Sequence, residues 1–388
     1  MHRFTDLGIG WQGGVASGWG TYGVNLAVEA VKHGISPALF FRAAGLALTD
    51  TQAAALKGPL ERYPYWRDLR ERDAVDVPFP VLYALGDKLD LPPQLERLKG
   101  RPELGVVFFE SATIPPANAE AARRFAAIIT GSTWNAGILA RHGLPVRNVF
   151  QGIDPDLFYP APGSRRFAGR FAIFSGGKLE YRKGQDLVVA AFKRFHARHP
   201  DALLVAAWHS PWAEAAQTIG MSPHVKDSPP VHNGRLDIPV WLQANGLPED
   251  AFIDVGALAN ATTADLLRNI DVALMPSRCE GGTNLVAMEC MACGLPTILS
   301  RNTGHLDLIR DDNCYALDFQ IPMGEVTGRA DLEGWGESSI EEIVTKLEQA
   351  YTDRAAAQKR GQAAALFMKD WSWAAQIEKM LAVIDEFI

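Results

Sequence analysis

Two carboxylates and two lysines stand in stretches that call for an explanation beyond solvation. The run "SRCEGGTNLVAMECMACGLPT", Ser277 to Thr297, opens polar and glycine-rich and then turns apolar. Glu289 nevertheless lies inside the apolar part, and Glu280 stands just ahead of the glycines. Gly281 and Gly282 free the backbone, Thr283 or Asn284 can cap a helix, and "LVAMECMAC" from Leu285 reads as that helix, ended by Gly294 and Pro296. Its first turn would present amides without intrahelical partners and the positive end of a helix dipole, where a diphosphate can sit. Glu289 falls one to two turns in. An unpaired buried carboxylate there would be costly. A buried Arg or Lys would answer it; so would ligand hydroxyls, such as the adjacent pair on a ribose. The second stretch, "GGKLEYRKGQD" from Gly176 to Asp186, follows the apolar "FAIFS" and sets Lys178 and Lys183 at a strand-to-helix loop. Two cations there suit phosphate oxygens, with the helix start adding to the field; taken singly, each lysine also reads as a solvated surface charge.

The elements that must position these groups follow from the apolar pattern. Continuous apolar runs recur at "ALFF" near Ala38, "VLYAL" from Val81, "LGVVFF" from Leu104, "AIIT" from Ala127, "FAIFS" from Phe171, "LLVAAW" from Leu203, "FIDVG" from Phe252, "VALMPS" from Val272 and "PTILS" from Pro296. Such runs predict strands covered on both faces. Amphipathic helices alternate with them, including "GQDLVVAAFKRFHARH" from Gly184 and "SSIEEIVTKLEQAY" from Ser338. The alternation predicts an α/β protein with two Rossmann-like, doubly wound parallel-sheet domains. Prolines and a glycine in "DPDLFYPAPGSRR", Asp154 to Arg166, predict the linker. The expected domains are 1–160 and 161–370, with a helix over 371–388 that packs back on the first. Near the start, "GIGWQGG" contains a G-x-G-x-x-G at Gly8, Gly10 and Gly13, but more loop, "VASGWGTYG", follows it and the helical pattern begins only around Thr21. A dinucleotide fingerprint needs its helix at once and an acidic residue at the end of the second strand, so the reading here is a glycine-rich loop before a helix.

At 388 residues, 47% hydrophobic and 21% charged, the chain has globular composition and room for about two domains. Its net charge of −7 argues against nucleic-acid partners. The four cysteines, Cys279, Cys290, Cys293 and Cys314, are too few for a disulfide scaffold and lack the further ligand pair a zinc site would need, so they read as small core residues in a reducing compartment. "MHRFTDLGIGWQGG" has no apolar secretory core, and no apolar run approaches the ~20 residues that span a bilayer. The expectation is a cytoplasmic protein, with attachment to a membrane surface and the oligomeric state left open.

Taken together, these stretches resemble the retaining glycosyltransferases of family 4. "GKLEYRKG" is similar to that family's G-R-L-x-x-x-K-G, with Lys178 in place of its usual Arg and Lys183 as its Lys. "FIDVGALANATTADLLRNIDVALMPSRCEGG", "EGGTNLVAMECMACGLPTILS" and "GSTWNAGILARHGLPVRNVFQGIDPDLFYP" resemble its later motifs and its interdomain link. One departure stands out: the family usually has seven residues between its two glutamates, and eight lie between Glu280 and Glu289. The resemblance implies a GT-B fold whose two domains face a cleft. It implies transfer of a sugar from a nucleoside-diphosphate sugar to an acceptor hydroxyl with retention; because no DxD-type metal motif stands in a suitable context, no metal or other cofactor is expected. By resemblance Glu289 would hold the donor ribose and Glu280 would face the donor sugar. Lys178, Lys183, Gly281, Gly282 and the backbone of Thr283, Asn284 and Leu285 would meet the sugar and diphosphate. The loop after "FIDVG" would contact the base, and an N-terminal loop with Gly18 and Gly20 would close over the phosphates. Glu110, at the strand end of "VVFFES", could orient an acceptor or be a structural cap, and Trp11, Trp19 and Trp134 offer either sugar-stacking faces or core. The rivals are a GT-B phosphorylase, epimerase or hydrolase, and a catalytically inactive sugar-nucleotide sensor or partner subunit.

Overall fold

The computed structural model describes residues 2–14, 17–44, 48–72, 74–164, 166–209 and 212–388. It divides into two units, 1–152 with 371–388, and 153–370.

The first unit holds a six-stranded parallel sheet: β1 (Asp6–Gly10), β2 (Ser36–Leu39), β3 (Val81–Ala84), β4 (Glu103–Val107), β5 (Ala127–Thr130) and β6 (Val146–Asn148), in the order β2-β1-β3-β4-β5-β6. Of these strands the sequence reading missed β1 and β6. Glycine is depleted in strands, but Gly8 and Gly10 are required here: a Cβ on Gly8 would stand 2.7 Å from Val81, and one on Gly10 would stand 2.7 Å from the Leu82 carbonyl. The first half of the expected glycine loop is therefore strand. Helix α1 (Gly18–Lys32) begins three residues earlier than its apolar pattern, because Ser17 caps it by accepting from the Gly20 amide. Val15 and Ala16, part of the loop expected before this helix, lie outside the described residues.

The second unit holds β7 (Phe171–Gly176), β8 (Ala202–Ala207), β9 (Phe252–Asp254), β10 (Val272–Met275), β11 (Thr297–Ser300) and β12 (Tyr315–Leu317), all parallel, in the order β9-β8-β7-β10-β11-β12. The helices α2 (Gln185–His196), α3 (Leu285–Ala292), α4 (Ile340–Thr352) and α5 (Arg354–Met368) belong to this unit, and α6 (Trp373–Asp385) belongs to the first. Phe171, Ile173, Leu204 and Leu274 from the strands pack with Leu187, Phe192 and Phe195 of α2 and Ile343 and Leu347 of α4. Each such side chain contributes about 1.5–3 kcal/mol by its burial. The chain leaves β7 toward β8 and β9, then returns to the other side of β7 with β10. Loops leaving the carboxyl ends of β7 and β10 therefore emerge side by side at the topological switch point, where ligands of such sheets bind.

The proline-rich segment read as a linker is packed. Arg268 donates to the carbonyls of Leu157 and Tyr159, and Ser164 Oγ lies 3.1 Å from Asn269 Oδ1. The boundary at 152/153 precedes the expected 160/161 for that reason; Arg165 lies outside the described residues. The last helix, α6, packs on α1, with Trp373 stacked on Tyr22 and Asp385 bonded to His2 and the Arg3 amide.

Candidate functional site

The loop after β7 runs through Gly177 into a single turn at Tyr181–Lys183, then through Gly184 into α2. Gly184 is at φ 72°, and a Cβ there would stand 2.2 Å from the Pro276 carbonyl. The bare glycine thus lets this loop pass against the one leaving β10. That second loop carries Ser277 to Asn284. Gly304 permits another close approach, since its amide donates to the Glu280 carbonyl and its Cβ position is only 1.7 Å from Gly282 O.

Glu280 is buried between these loops. Lys183 Nζ donates to both its oxygens at 2.8 Å. Ser277 Oγ at 2.6 Å and Asn284 Nδ2 at 3.0 Å donate to Oε1, and Arg182 Nη1 at 3.0 Å donates to Oε2. Burial opposes its ionisation, but Lys183 and Arg182 outweigh it and hold the carboxyl down at about 2. Burial likewise keeps His305, 4.0 Å from Glu280, neutral down to about pH 4.

Asn284 does two jobs with one amide. Its oxygen caps α3 by accepting from the Ala287 amide, while its nitrogen anchors Glu280. The turn into the helix passes through Asn284 at φ 67°, a left-handed conformation that asparagine tolerates better than most residues. α3 then begins at Leu285, its first-turn amides lacking intrahelical partners.

Glu289 differs in every respect. It is half-buried on α3, no hydrogen bond or ion pair reaches its side chain among the described residues, and desolvation pushes its carboxyl up to about 8. Of the alternatives the sequence left open, a protein cation paired with it is absent among the described residues.

The two lysines are placed at the switch point, each already on a carboxylate: Lys178 on Glu180 at 2.9 Å and Lys183 on Glu280. Beneath them lies a pair that sequence reasoning missed. Arg278, fully buried, binds both oxygens of Asp186 at 2.8 and 2.6 Å, Glu337 at 2.6 Å and the Tyr181 carbonyl, and covers the Tyr181 ring at 3.8 Å. Glu337 belongs to an antiparallel pair, Gln320–Pro322 with Gly336–Ser338, that lies outside the main sheet. At the end of β9, Asp254 takes His209 Nε2 at 3.1 Å and the Gly256 amide at 3.1 Å, which shapes the loop after "FIDVG".

The structure thus brings Lys178, Lys183, Glu280 and Asn284 together in the second unit, while Gly18, Gly20 and Glu110 belong to the first. Gly18 and Gly20 lie in the first turn of α1, not in a loop. The Gly20 amide is taken by Ser17, and its carbonyl accepts from Gly14. Glu110 follows β4, half-buried, one strand beyond that unit's own switch point between β1 and β3. Trp11 is core, buried and donating to the Trp19 carbonyl; Trp19, edge-on to Phe108 at 4.7 Å, and Trp134 are half-buried. All four cysteines are buried and unpaired with one another, and burial pushes the Cys293 thiol up to about 12. Among the described residues, no cluster of three His, Cys, Asp or Glu side chains could hold a metal ion, and no helix is long and apolar enough to cross a membrane.

Comparison with known proteins places this architecture. Residues 258–380 match the family described as Family 4 Glycosyltransferase in conflict systems. The chain is 27% identical over 247 residues to the D-inositol 3-phosphate glycosyltransferase of Arthrobacter sp. (strain FB24), covering 61% of this chain and 50% of that one. It is 26% identical over 177 residues to a GDP-mannose-dependent alpha-(1-6)-phosphatidylinositol monomannoside mannosyltransferase of Mycolicibacterium smegmatis, covering 41% and 39%. The chain therefore spans half or less of the length of these curated relatives. Among solved structures it resembles the sucrose-phosphate synthase of Thermosynechococcus elongatus, with a TM-score of 0.68, 17% identity and 98% of each chain covered. It also resembles HepE of Anabaena in complex with UDP and glucose, with a TM-score of 0.65, 12% identity, and 98% and 100% covered. At these identities the solved structures establish the fold, two Rossmann-like units of GT-B type.

Proposed function

From the premise that the chain belongs to the family 4 glycosyltransferases, we propose that it transfers a sugar from a nucleoside-diphosphate sugar to an acceptor hydroxyl on a glycan, glycoconjugate or small molecule, with retention of anomeric configuration. The observation that carries this reading is Glu289. A carboxyl group with no protein donor among the described residues, on the helix whose amino end opens at the switch point, is a waiting partner for the two hydroxyls of a ribose. The diphosphate would lie on the first-turn amides of α3 and on Lys178 and Lys183. There the leaving group's growing charge is stabilised by preorganised donors, without a metal or other cofactor. Glu110 is proposed to orient the acceptor, and Gly281, Gly282 and Thr283 to let the donor sugar approach the backbone. Fully cytoplasmic and membrane-surface acceptors both fit this chemistry.

A panel of UDP-, GDP- and ADP-sugars, followed by thermal unfolding, tests the donor class. A cognate donor at 100 times its Kd stabilises the protein by about 2.7 kcal/mol. Turnover is expected to persist in EDTA; loss of turnover restored by Mg²⁺ or Mn²⁺ would contradict the metal-free reading. Lys178→Ala and Lys183→Ala should each lower kcat/KM by roughly 10- to 150-fold, from ~1.5–3 kcal/mol of lost charge-assisted bonding.

One observation favours the rival, a nucleotide-sugar binder without turnover. Glu280 already accepts from Lys183, Ser277, Asn284 and Arg182, which leaves it poorly placed to meet a donor sugar. Donor binding with no transfer to any hydroxyl acceptor, and no donor hydrolysis, would select that reading.

A further inference from the structure

Five charged side chains at the switch point form one alternating chain. Lys178 Nζ lies 2.9 Å from Glu180 Oε2, and Glu180 Oε1 lies 2.5 Å from Arg182 Nη2. Arg182 Nη1 lies 3.0 Å from Glu280 Oε2, and Glu280 Oε1 lies 2.8 Å from Lys183 Nζ. Arg182 is the middle member, and its Nη1 also donates to the Cys279 carbonyl at 2.7 Å. Side-chain exposure rises toward the two ends: 5% at Glu280, 8% at Arg182, 11% at Glu180, then 14% at Lys183 and 33% at Lys178. Only the lysines face outward. The charges do not cancel either, because three cations meet two carboxylates and leave one positive charge. Without Arg182 the same four groups would sum to zero and offer a diphosphate no net attraction.

We propose that Arg182 is the positioning residue for both phosphate-facing lysines, through the two carboxylates its guanidinium bridges, and that it supplies the net positive charge of this five-membered chain. This rests on the nucleotide-sugar reading above. A planar fork can span two carboxylates in one fixed geometry, which an ammonium on a flexible stem cannot. A buried ion network is weak evidence for stability alone, since well-packed apolar groups often serve a fold as well. The chain's outward-facing ends give this one another use.

The test separates phosphate binding from everything else. Dissociation constants are measured for uridine and UDP, and for guanosine and GDP, on the whole protein. The ratio of nucleoside to diphosphate constants is the phosphate increment. Arg182→Met removes charge and fork; Arg182→Lys keeps the charge and removes the fork. Both are expected to cut the increment by about tenfold or more, the size of a lost charge-assisted hydrogen bond, with nucleoside affinity moving less than about twofold. On the Arg182→Lys background, Lys178→Ala and Lys183→Ala should each cost less than they do alone. An increment retained by Arg182→Lys would overturn the positioning role, and equal weakening of nucleoside and diphosphate would reduce Arg182 to a strut of the fold. Should the arginine variants fail to fold, Glu180→Gln cuts one arm only. It should shrink the effect of Lys178→Ala and leave that of Lys183→Ala intact, and an unchanged Lys178 effect overturns the proposal. A wild-type protein that binds neither UDP nor GDP would instead refute the nucleotide-sugar reading itself.

Discussion

Glu280 and Glu289 belong to one motif and end in opposite electrostatic states. Glu280 is surrounded by Lys183, Arg182, Ser277 and Asn284 and is held down at about 2. Glu289 has no partner among the described residues and is pushed up to about 8 by burial. The difference comes from position on the backbone. Glu280 lies in a loop that crosses the turn Tyr181–Lys183 at the sheet's switch point, so donors from another loop converge on it. Glu289 lies on a helix, and its neighbours at helical spacing are Leu285, Val286, Ala292 and Cys293, none of which carries a positive charge. A saturated carboxylate holds other groups in place. An unanswered one is available to a ligand.

The largest effect expected from breaking this contrast is on stability at Glu280. Glu280→Gln leaves Lys183 and Arg182 facing a neutral amide in a buried site. Breaking a buried pair in this way costs about 3–5 kcal/mol, read as a lower urea midpoint without a change in slope. Loss below about 1 kcal/mol, the value of a typical exposed pair, would mean the network is solvated and the contrast smaller than the geometry says. At Glu289 the expected effect moves to binding. Glu289→Gln should keep the fold and weaken cognate donor binding by about 10- to 150-fold, from ~1.5–3 kcal/mol of lost charged hydrogen bonding. Unchanged donor affinity in the folded variant would sink the ribose assignment.

What the sequence reveals about these groups follows from how local their partners are. Glu289, the helix around it and its end at Gly294 are set by neighbours a few positions away, and so are Lys178 and Lys183 on their strand-to-helix loop; all were legible. The nine apolar runs mark nine of the twelve main strands because most of these strands are buried on both faces and written in continuous apolar residues, the edge strand β9 with its exposed Ile253 excepted. β1 escaped because packing against Val81, Phe40 and Leu82 demanded glycines where a strand is expected to show side chains. Arg182, Arg278 and Glu337 escaped because their partners are remote in sequence. Arg182 meets Glu280 and Arg278 meets Asp186 across more than ninety residues, and nothing in "EYRKG" or "SRCEGG" signals those pairings. The proline-rich 154–166 segment looked like a linker because its packing partners, Arg268 and Asn269, also lie far along the chain.

The smallest effect is the most specific to the comparison, because the two carboxyls predict opposite pH dependences. Glu280 is depressed from an ordinary 4.5, so its contribution to stability is present above 4.5 and is lost as pH falls toward 2. Glu289 is raised from the same 4.5 to about 8. Below 4.5 it is protonated in both folded and unfolded chains and affects nothing. Between 4.5 and 8 the unfolded chain gives up the proton and the folded one keeps it, so stability falls as pH rises, and the loss levels off above 8. The amide introduced by Glu289→Gln has no such proton to lose. Melting temperatures of the ligand-free wild type and this variant, compared from pH 5 to 8.5, should therefore separate progressively in favour of the variant. Parallel curves would mean that Glu289 ionises as it would in water. With a cognate donor bound, ribose hydroxyls favour the ionised carboxylate, so the wild type should recover the difference and bind with release of a proton near pH 7. Calorimetry in two buffers of different ionisation enthalpy would register that proton, and identical heats in both would show that the donor does not meet Glu289.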